Sequence, residues 1–303
     1  MKQTFYSNGK LLLTGEYTVL DGAKALALPT RFGQYLHIEE GTGNVIKWAS
    51  RNLDGSIWLD LEIPFSAIIG KDTKGTPEHK TLVEILHEAH KLNPDILNNS
   101  TGIIATTELT FPRFWGLGTS STLINNVAQW FAVDAFELLK KSFGGSGYDI
   151  ACAQHDTPII YCLQGSTPLV ERVVYDPIFK SKLYFVYLNQ KQNSRSAILA
   201  YKEKRSDIKY TIVKISDLSL QILSANDLLS FQAALEEHEK IMSAVLHTPT
   251  VKEALFPDFP GTIKSLGAWG GDFVLVCADQ EPSNYFKNLG YETIIPSDDM
   301  ILK

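Results

Sequence analysis

The chain has 303 residues, of which 44% are hydrophobic and 20% are charged. This mixture is typical of globular proteins and excludes a disordered tail, a collagen-like fibre and a disulfide-stabilised miniature scaffold. With 28 basic and 34 acidic residues, the formal net charge is −6. Because broad nucleic-acid binding depends on a basic surface, we expect no nucleic-acid partner. A locally positive pocket could still bind a small anionic molecule.

The cysteines and the longest apolar segments indicate the compartment. Cys152, Cys162 and Cys277 lie among apolar or small residues without a CxxC spacing, so we expect reduced thiols. No apolar segment approaches the ~20 residues that a membrane span needs. Charged residues follow Leu11–Leu13 too soon for the core of a signal peptide. We therefore expect a cytoplasmic protein without a membrane partner.

The first half of the chain contains turn and capping signals. Apolar runs on both sides of Asn8 and Gly9 predict a tight hairpin, since both residues tolerate positive φ. Thr76 and Pro77 predict the start of a helix, and Asp134 predicts the cap of another that ends near Lys141. Further strands are predicted at residues 35–38, 45–48, 56–59 and 107–111.

In the second half, strands and helices are interspersed. Strands are predicted near residues 182–188, 273–278 and 292–295, and helices near 194–204, 225–246 and 283–289. Strict alternation would favour a doubly wound sheet, whereas this order favours an α+β fold. The turn cluster Gly165–Pro168 predicts a domain boundary in this region.

A glycine-rich segment, Gly116-Leu117-Gly118-Thr119-Ser120-Ser121, precedes a predicted helix. Glycines let the backbone approach a ligand, and the free N–H groups of a helix N-terminus attract anions. The hydroxyls could bind phosphate oxygens or Mg²⁺. The segment is not a Walker A loop, a dinucleotide fingerprint or a hydrolase elbow. A simple turn with Ser/Thr caps is the alternative.

In three further segments, a charged residue lies beside glycines or among apolar residues. Gly267–Asp272 leads into an apolar strand and is either a ligand-binding loop or a tight turn. Asp149 precedes an apolar, small-residue segment, where it either has a function or caps a helix. Lys10, the lone charge between Phe5 and Glu16, either pairs with a buried acid or phosphate or points to solvent.

In chain order, these segments resemble the motifs of the GHMP kinase superfamily, named for its galactose, homoserine, mevalonate and phosphomevalonate kinases. Gly9–Gly22 resembles the first motif, and Trp115–Ser121 is similar to the ATP-phosphate loop. Lys264–Asp272 resembles the third motif. Ser146–Ala151 resembles the segment that holds the catalytic aspartate, in the form of the GYDIA-type branch.

The resemblance implies a two-domain α+β fold with the active site in the cleft between an N-terminal and a C-terminal α+β domain. The N-terminal domain, residues 1–170, would bind ATP, and residues 171–303 would carry the third glycine-rich motif. Asp149 would be the base for the substrate hydroxyl, and Lys10 would polarise that hydroxyl and keep Asp149 ionised. Ser120 would help to hold Mg²⁺. The residues predicted to contact ATP are Gly116, Leu117, Gly118, Thr119, Ser120, Ser121, Gly267, Gly270 and Gly271.

Three positions affect whether the residue roles of the family apply to this chain. Asn8 replaces a proline of the first motif, and Trp269 stands where the third motif has glycine, so its indole could fill part of the pocket. The acidic Mg²⁺ ligand of the family lies on the helix before the catalytic aspartate. Glu137 is the candidate here, with a surface glutamate as the alternative.

The resemblance predicts an ATP-dependent kinase that phosphorylates a hydroxyl or phosphate of a small metabolite like those of the mevalonate pathway. The sugar-kinase histidine is missing after Glu16, and Gly270-Gly271-Asp272 is similar to phosphomevalonate kinases. A non-catalytic nucleotide-binding or metabolite-binding member of the fold and an ATP-dependent decarboxylase of the diphosphomevalonate type are the alternatives. The sequence leaves the oligomeric state open, a homodimer included.

Overall fold

The computed structural model describes residues 2–191, 194–205 and 208–303, with only the backbone at Ser194 and Arg195. The strands are β1 (Gln3–Leu12), β2 (Ala25–Glu40), β3 (Val45–Arg51), β4 (Ile57–Pro64), β5 (Ile103–Leu109), β6 (Ile159–Gln164), β7 (Thr167–Arg172), β8 (Leu183–Tyr187), β9 (Thr262–Ser265), β10 (Phe273–Cys277) and β11 (Ile294–Pro296). The helices are α1 (Phe65–Ile69), α2 (Pro77–Leu92), α3 (Asp95–Asn98), α4 (Thr119–Phe131), α5 (Ala135–Ser142), α6 (Tyr148–Gln154), α7 (Ser194–Lys204), α8 (Lys209–Ser224), α9 (Leu228–Leu246), α10 (Val251–Leu255), α11 (Ser283–Asn288) and α12 (Ser297–Met300). The predicted α+β class is confirmed.

The chain divides into two compact units whose segments alternate along the sequence. The first unit contains the chain up to Gly9 together with Phe32–Arg113 and Leu117–Gln154. The second contains Lys10–Arg31, Phe114–Gly116 and His155–Lys303. This division describes packing. The domain boundary expected between residues 170 and 171 and the active-site cleft expected between the two domains are statements about function. They stay predictions.

In the first unit, helices cover one face of a sheet whose strand order is β4-β3-β5-β2. β3 and β5 are parallel, and the other neighbours are antiparallel. Alternate strand residues such as Leu36 and Trp48 point into a core shared with Leu86 of α2 and Val127 of α4. Burial of this face fixes the strand register, because a shift by one residue would expose it.

The second unit contains an antiparallel sheet with strand order β11-β8-β10-β9. All five residues of β10 are buried, as expected for a central strand. In the same unit, β6 pairs with β7 and with Ala25–Ala27 of β2. The third glycine-rich segment is the loop between β9 and β10, so two paired strands hold both of its ends.

The hairpin predicted at Asn8 and Gly9 is wrong, because β1 runs without interruption from Gln3 to Leu12. Ser7, Gly9 and Leu11 are buried, and the residues between them are partly exposed. Asn-Gly permits a turn but does not require one, and pairing with β2 keeps this segment extended.

Two predicted helix caps are confirmed. The Thr76 hydroxyl accepts a hydrogen bond from His79 N at 3.2 Å, and α2 begins at Pro77. Asp134 Oδ1 accepts from Glu137 N at 2.7 Å at the start of α5. Among the elements that the sequence analysis missed are α8, the strands β6, β7 and β9, and the first half of β2.

Two observations concern the cysteines and the length of the helices. All three cysteines are free. In the described part of the chain, every helix is too short or too polar to cross a membrane.

Candidate active site

The predicted phosphate loop leads directly into α4. Gly118 precedes the helix with φ of 95°, and no side chain of the described residues caps the first turn. The Ser121 hydroxyl donates back to Gly118 O at 2.8 Å, whereas the Ser120 side chain is exposed. The N-terminal N–H groups of α4 are therefore available to an anion, as the loop assignment requires.

A buried polar network fixes α4 in the first unit. Ser7 Oγ donates to Asn126 Oδ1 at 2.7 Å and accepts from Asn125 Nδ2 at 2.8 Å. Asn126 Nδ2 and Thr122 Oγ1 both donate to Gln34, at 2.9 and 2.7 Å. The sequence analysis missed this network. The sequence feature that could have revealed it is the Asn125-Asn126 pair within the mostly apolar segment Leu123–Phe131 of α4.

Asp149 lies in the first turn of α6 and is half-buried. Its Oδ1 accepts from Ile150 N at 3.1 Å. Gln154 Nε2 at the other end of α6 donates to Asn125 Oδ1 at 3.1 Å, which joins α6 to α4. The first unit thus carries Asp149 on α6 and residues 119–121 on α4, and these two helices pack together.

Glu137 lies on the exposed side of α5, where it forms an ion pair with Lys141 at 3.1 Å. The described residues contain no group of three or more His, Cys, Asp or Glu side chains suited to a metal ion. Mg²⁺ bound together with nucleotide phosphates needs only one or two protein ligands. The exposed Ser120 hydroxyl at the start of α4 fits that requirement, and the role of Glu137 stays a prediction.

In the second unit, two charged side chains flank Gly116. Lys10 Nζ donates to Gly116 O at 2.8 Å. On the other side, a Cβ at Gly116 would overlap the carboxyl group of Asp272. Asp272 adopts a left-handed backbone, with φ of 53°, and its N–H donates to Gln190 O at 2.6 Å. The sequence analysis quoted Asp272 but did not assign it to the site, although a charge between glycines and an apolar strand is a usable signal.

The loop between β9 and β10 depends on left-handed glycines and on Trp269. Gly267 and Gly270 have φ of 64° and 87°. Trp269 is 9% exposed and packs with Tyr17 and Tyr201, and its backbone N–H donates to Tyr17 Oη at 3.2 Å. Burial raises the pKa of Tyr17 to about 12. Trp269 thus fills space within the second unit and joins the third motif to the first.

A second contact between these motifs is ionic and fully buried. Glu16 of the first motif forms an ion pair with Lys264, which begins the third motif. His238 and Glu239 of α9 complete the group. The sequence analysis did not identify it, because residues more than 200 positions apart form it.

No family model and no curated protein sequence matches the chain. The structure, by contrast, is similar to solved structures over nearly its whole length. Methanococcus jannaschii mevalonate kinase is 15% identical with a TM-score of 0.68, covering 97% of this chain and 96% of that one. Streptococcus pneumoniae phosphomevalonate kinase, in complex with phosphomevalonate and AMPPNP, is 16% identical with a TM-score of 0.72, covering 96% and 99%.

Lactococcus lactis galactokinase, solved with galactose, is 13% identical with a TM-score of 0.66, covering 100% of this chain and 95% of that one. Identities this low establish the fold and leave the substrate open. The resemblance drawn from the motifs is thereby confirmed at the level of the fold: the chain has the fold of the GHMP kinase superfamily.

Proposed function

We propose that the protein is an ATP-dependent kinase of the GHMP type that phosphorylates a small molecule. The observation that carries this proposal is the uncapped start of α4 behind Gly116–Gly118, with the Lys10 ammonium on the carbonyl of Gly116. Backbone N–H groups and a nearby cation are what phosphoryl transfer uses to position phosphates and neutralise their charge. The shared fold with kinases of mevalonate, phosphomevalonate and galactose supports the same reaction class.

In this proposal the ATP phosphates lie on residues 116–121, and Gly267, Gly270 and Gly271 border the nucleotide. Bound Mg²⁺ would neutralise phosphate charge, with the Ser120 hydroxyl as a ligand and Glu137 as the second candidate. The exposure of Ser120 supports its role. The Glu137–Lys141 ion pair would have to open for Glu137 to bind the metal.

Asp149 is the proposed general base. Its carboxylate accepts the proton of the acceptor hydroxyl, whose oxygen bonds to the γ-phosphorus as the bond to the leaving ADP breaks. Its place in the first turn of α6 supports this role, because the N-terminal dipole of a helix favours negative charge. The Lys10 ammonium would stabilise the negative charge that develops on the acceptor oxygen.

For the acceptor, we favour a metabolite of the mevalonate pathway, used in isoprenoid synthesis in the cytoplasm. This choice rests on Gly270-Gly271-Asp272 and on the absence of a histidine after Glu16. Similarity to a phosphomevalonate kinase supports it.

The test is ADP release from Mg-ATP with mevalonate, phosphomevalonate, diphosphomevalonate, homoserine or galactose. Turnover with one acceptor supports the proposal and names the substrate, and CO₂ release from diphosphomevalonate would instead indicate a decarboxylase. ATP binding without turnover on any acceptor would indicate a binding protein, and no ATP binding would contradict the kinase assignment.

Asp149→Asn removes the base and is expected to lower kcat by about 10²-fold or more, while the Kd for ATP stays within a few-fold. Asp156→Asn is the matched control, since Asp156 is an exposed carboxylate seven positions along the chain. An unchanged kcat in Asp149→Asn, measured beside the control, would exclude Asp149 as the base.

A further inference from the structure

Four ionisable side chains lie together in the second unit, out of contact with solvent. Glu16, His238 and Lys264 are 0% exposed, and Glu239 is 3% exposed. Lys264 Nζ contacts Glu16 Oε1, lies 3.1 Å from Glu239 Oε1 and donates to Ser265 O at 2.5 Å. The cluster thereby connects the first motif, β9 and α9.

The charges in this cluster do not balance if both carboxyl groups are ionised. Lys264 supplies one positive charge, and Glu16 and Glu239 would supply two negative charges. An uncompensated charge in a buried site is costly, and a proton on one of the groups removes it. The hydrogen bonds decide which group takes the proton.

His238 is neutral and presents a lone pair at Nε2. Gly15 N donates to His238 Nε2 at 3.1 Å, which requires an unprotonated nitrogen. Burial and the nearby Lys264 charge hold the pKa of His238 well below its usual range. Glu16 Oε2 lies 3.4 Å from the same Nε2 and has no other hydrogen-bond partner among the described residues. An ionised Glu16 would therefore place its negative charge against this lone pair, whereas a protonated Glu16 removes the repulsion and can share the lone pair with the Gly15 N–H.

Glu239 is surrounded differently. Its Oε2 accepts from Ser265 Oγ at 3.0 Å, and its Oε1 faces the Lys264 ammonium. Burial raises the pKa of Glu239, but the Lys264 ammonium and the hydrogen bond from Ser265 both act against that rise and favour the ionised form. The geometry therefore assigns the proton to Glu16 and the negative charge to Glu239.

We propose that Glu16 is a positioning residue that carries a proton near neutral pH and joins the first motif to His238 and Lys264 as a hydrogen-bond donor and acceptor. Through this contact it holds the segment after Lys10 and the start of the third motif in place. The proposal concerns the site of the proposed kinase, but the protonation itself does not depend on which reaction the protein catalyses.

The expected pH dependence follows from the groups that face Glu16. Burial raises the pKa of Glu16 to about 7, against the lowering effect of Lys264 and with a further rise from Glu239. Tyr17 also faces this charge and is neutral near pH 7, since burial raises its pKa to about 12. Because the folded protein binds this proton more tightly than the unfolded chain, the stability that it contributes is complete below the unfolded pKa and is lost as the pH rises through about 7.

Paired amide variants test the assignment, with the melting temperature measured from about pH 5.5 to 9. Glu16→Gln reproduces the protonated group, since its amide can donate to His238 and accept from Lys264. We expect its melting temperature to lie within ~3 °C of wild type near pH 6 and above wild type near pH 8.5. In Glu239→Gln only an ionised Glu16 can balance Lys264, so Glu16 must give up its proton and its carboxylate then faces the His238 lone pair. We expect this variant to melt at least ~5 °C lower than wild type across the range. The reverse order of the two variants would overturn the assignment.

A measurement on the unmodified chain covers the case in which a variant does not fold. With ¹³C-labelled glutamate side chains, one carboxyl signal is expected at the protonated position near pH 6, titrating near pH 7. If Glu16→Gln folds, that signal is absent from it. A spectrum with every glutamate ionised at pH 6 would contradict the proposal.

The positioning role has its own readout in the pH profile of kcat/KM. The ratio of kcat/KM at pH 8.5 to that at pH 6 is expected to be several-fold higher in Glu16→Gln than in wild type. An unchanged ratio, together with a protonated Glu16 by NMR, would overturn the positioning role. If no acceptor supports turnover, the proposed function fails, while the melting and NMR measurements still decide the protonation.

Discussion

Gly116 is constrained on both sides, because Lys10 binds its carbonyl oxygen and the Asp272 carboxyl group occupies the space where a Cβ would lie. Its φ of 70° adds a backbone conformation that other residues adopt at a cost. Gly116→Ala is therefore expected to displace either the loop or Asp272 and to weaken ATP binding by at least ~10-fold, a loss of about 1.4 kcal/mol. Isothermal titration calorimetry with ATP measures this effect.

Two further variants separate overlap from backbone strain. Gly165 has a similar φ of 64°, but a Cβ there would meet open space. Gly165→Ala should therefore keep the ATP affinity of wild type. Adding Asp272→Gly to Gly116→Ala removes the overlapping carboxyl group and should restore part of the affinity. If the single variant binds ATP as tightly as wild type, the contact between Gly116 and the nucleotide is not needed.

Among the elements, α10 illustrates a short helix that depends on its capping box. Thr250 Oγ1 accepts from Glu253 N at 3.2 Å, and Glu253 Oε2 accepts from Thr250 N at 2.9 Å. The hydrogen bond from the Thr250 N–H lowers the pKa of Glu253. The stability linked to this carboxylate is therefore present above its unfolded pKa and is lost as the pH falls.

Thr250→Ala is expected to cost about 1 kcal/mol of unfolding free energy, because the Glu253 N–H loses its acceptor. Urea denaturation at neutral pH measures this cost. Thr250→Ser keeps the hydroxyl and serves as the control, with a change below about 0.5 kcal/mol. Equal losses in the two variants would show that the methyl group of Thr250, and not its cap, stabilises α10.

Sequence patterns predicted some of the helices and strands correctly and missed others. Caps such as Thr76 and Asp134 act within one turn of their own helix, so they were predictable from adjacent residues. The Asn8-Gly9 hairpin failed because pairing with β2, a contact made elsewhere in the chain, kept β1 extended. The amphipathic α8 was missed, because its buried face includes Ser219 and interrupts the apolar pattern.

For the whole molecule, the burial of the cysteines predicts unequal thiol reactivity. Cys152 and Cys277 are fully buried, and burial raises the pKa of Cys277, whereas Cys162 is half-buried. Of the three thiols, only Cys162 is expected to react rapidly with a chromogenic disulfide in the native protein. All three should react in denaturant, and Cys162→Ser should remove the fast phase. A fast phase that persists in Cys162→Ser would contradict the packing around the other two.

The sequence by itself determined the α+β class, the order of the glycine-rich motifs and the candidates Lys10, Ser120 and Asp149, because each rests on residues that are neighbours in the chain. Tertiary structure decided what touches those motifs. The Asp272 carboxyl group against Gly116, the asparagine network beneath α4 and the Glu16–Lys264 pair all join residues far apart in sequence. Burial turns such pairs into strong constraints, because an unpaired polar group costs far more inside the protein than in water. No local pattern reports which distant side chain will meet that need.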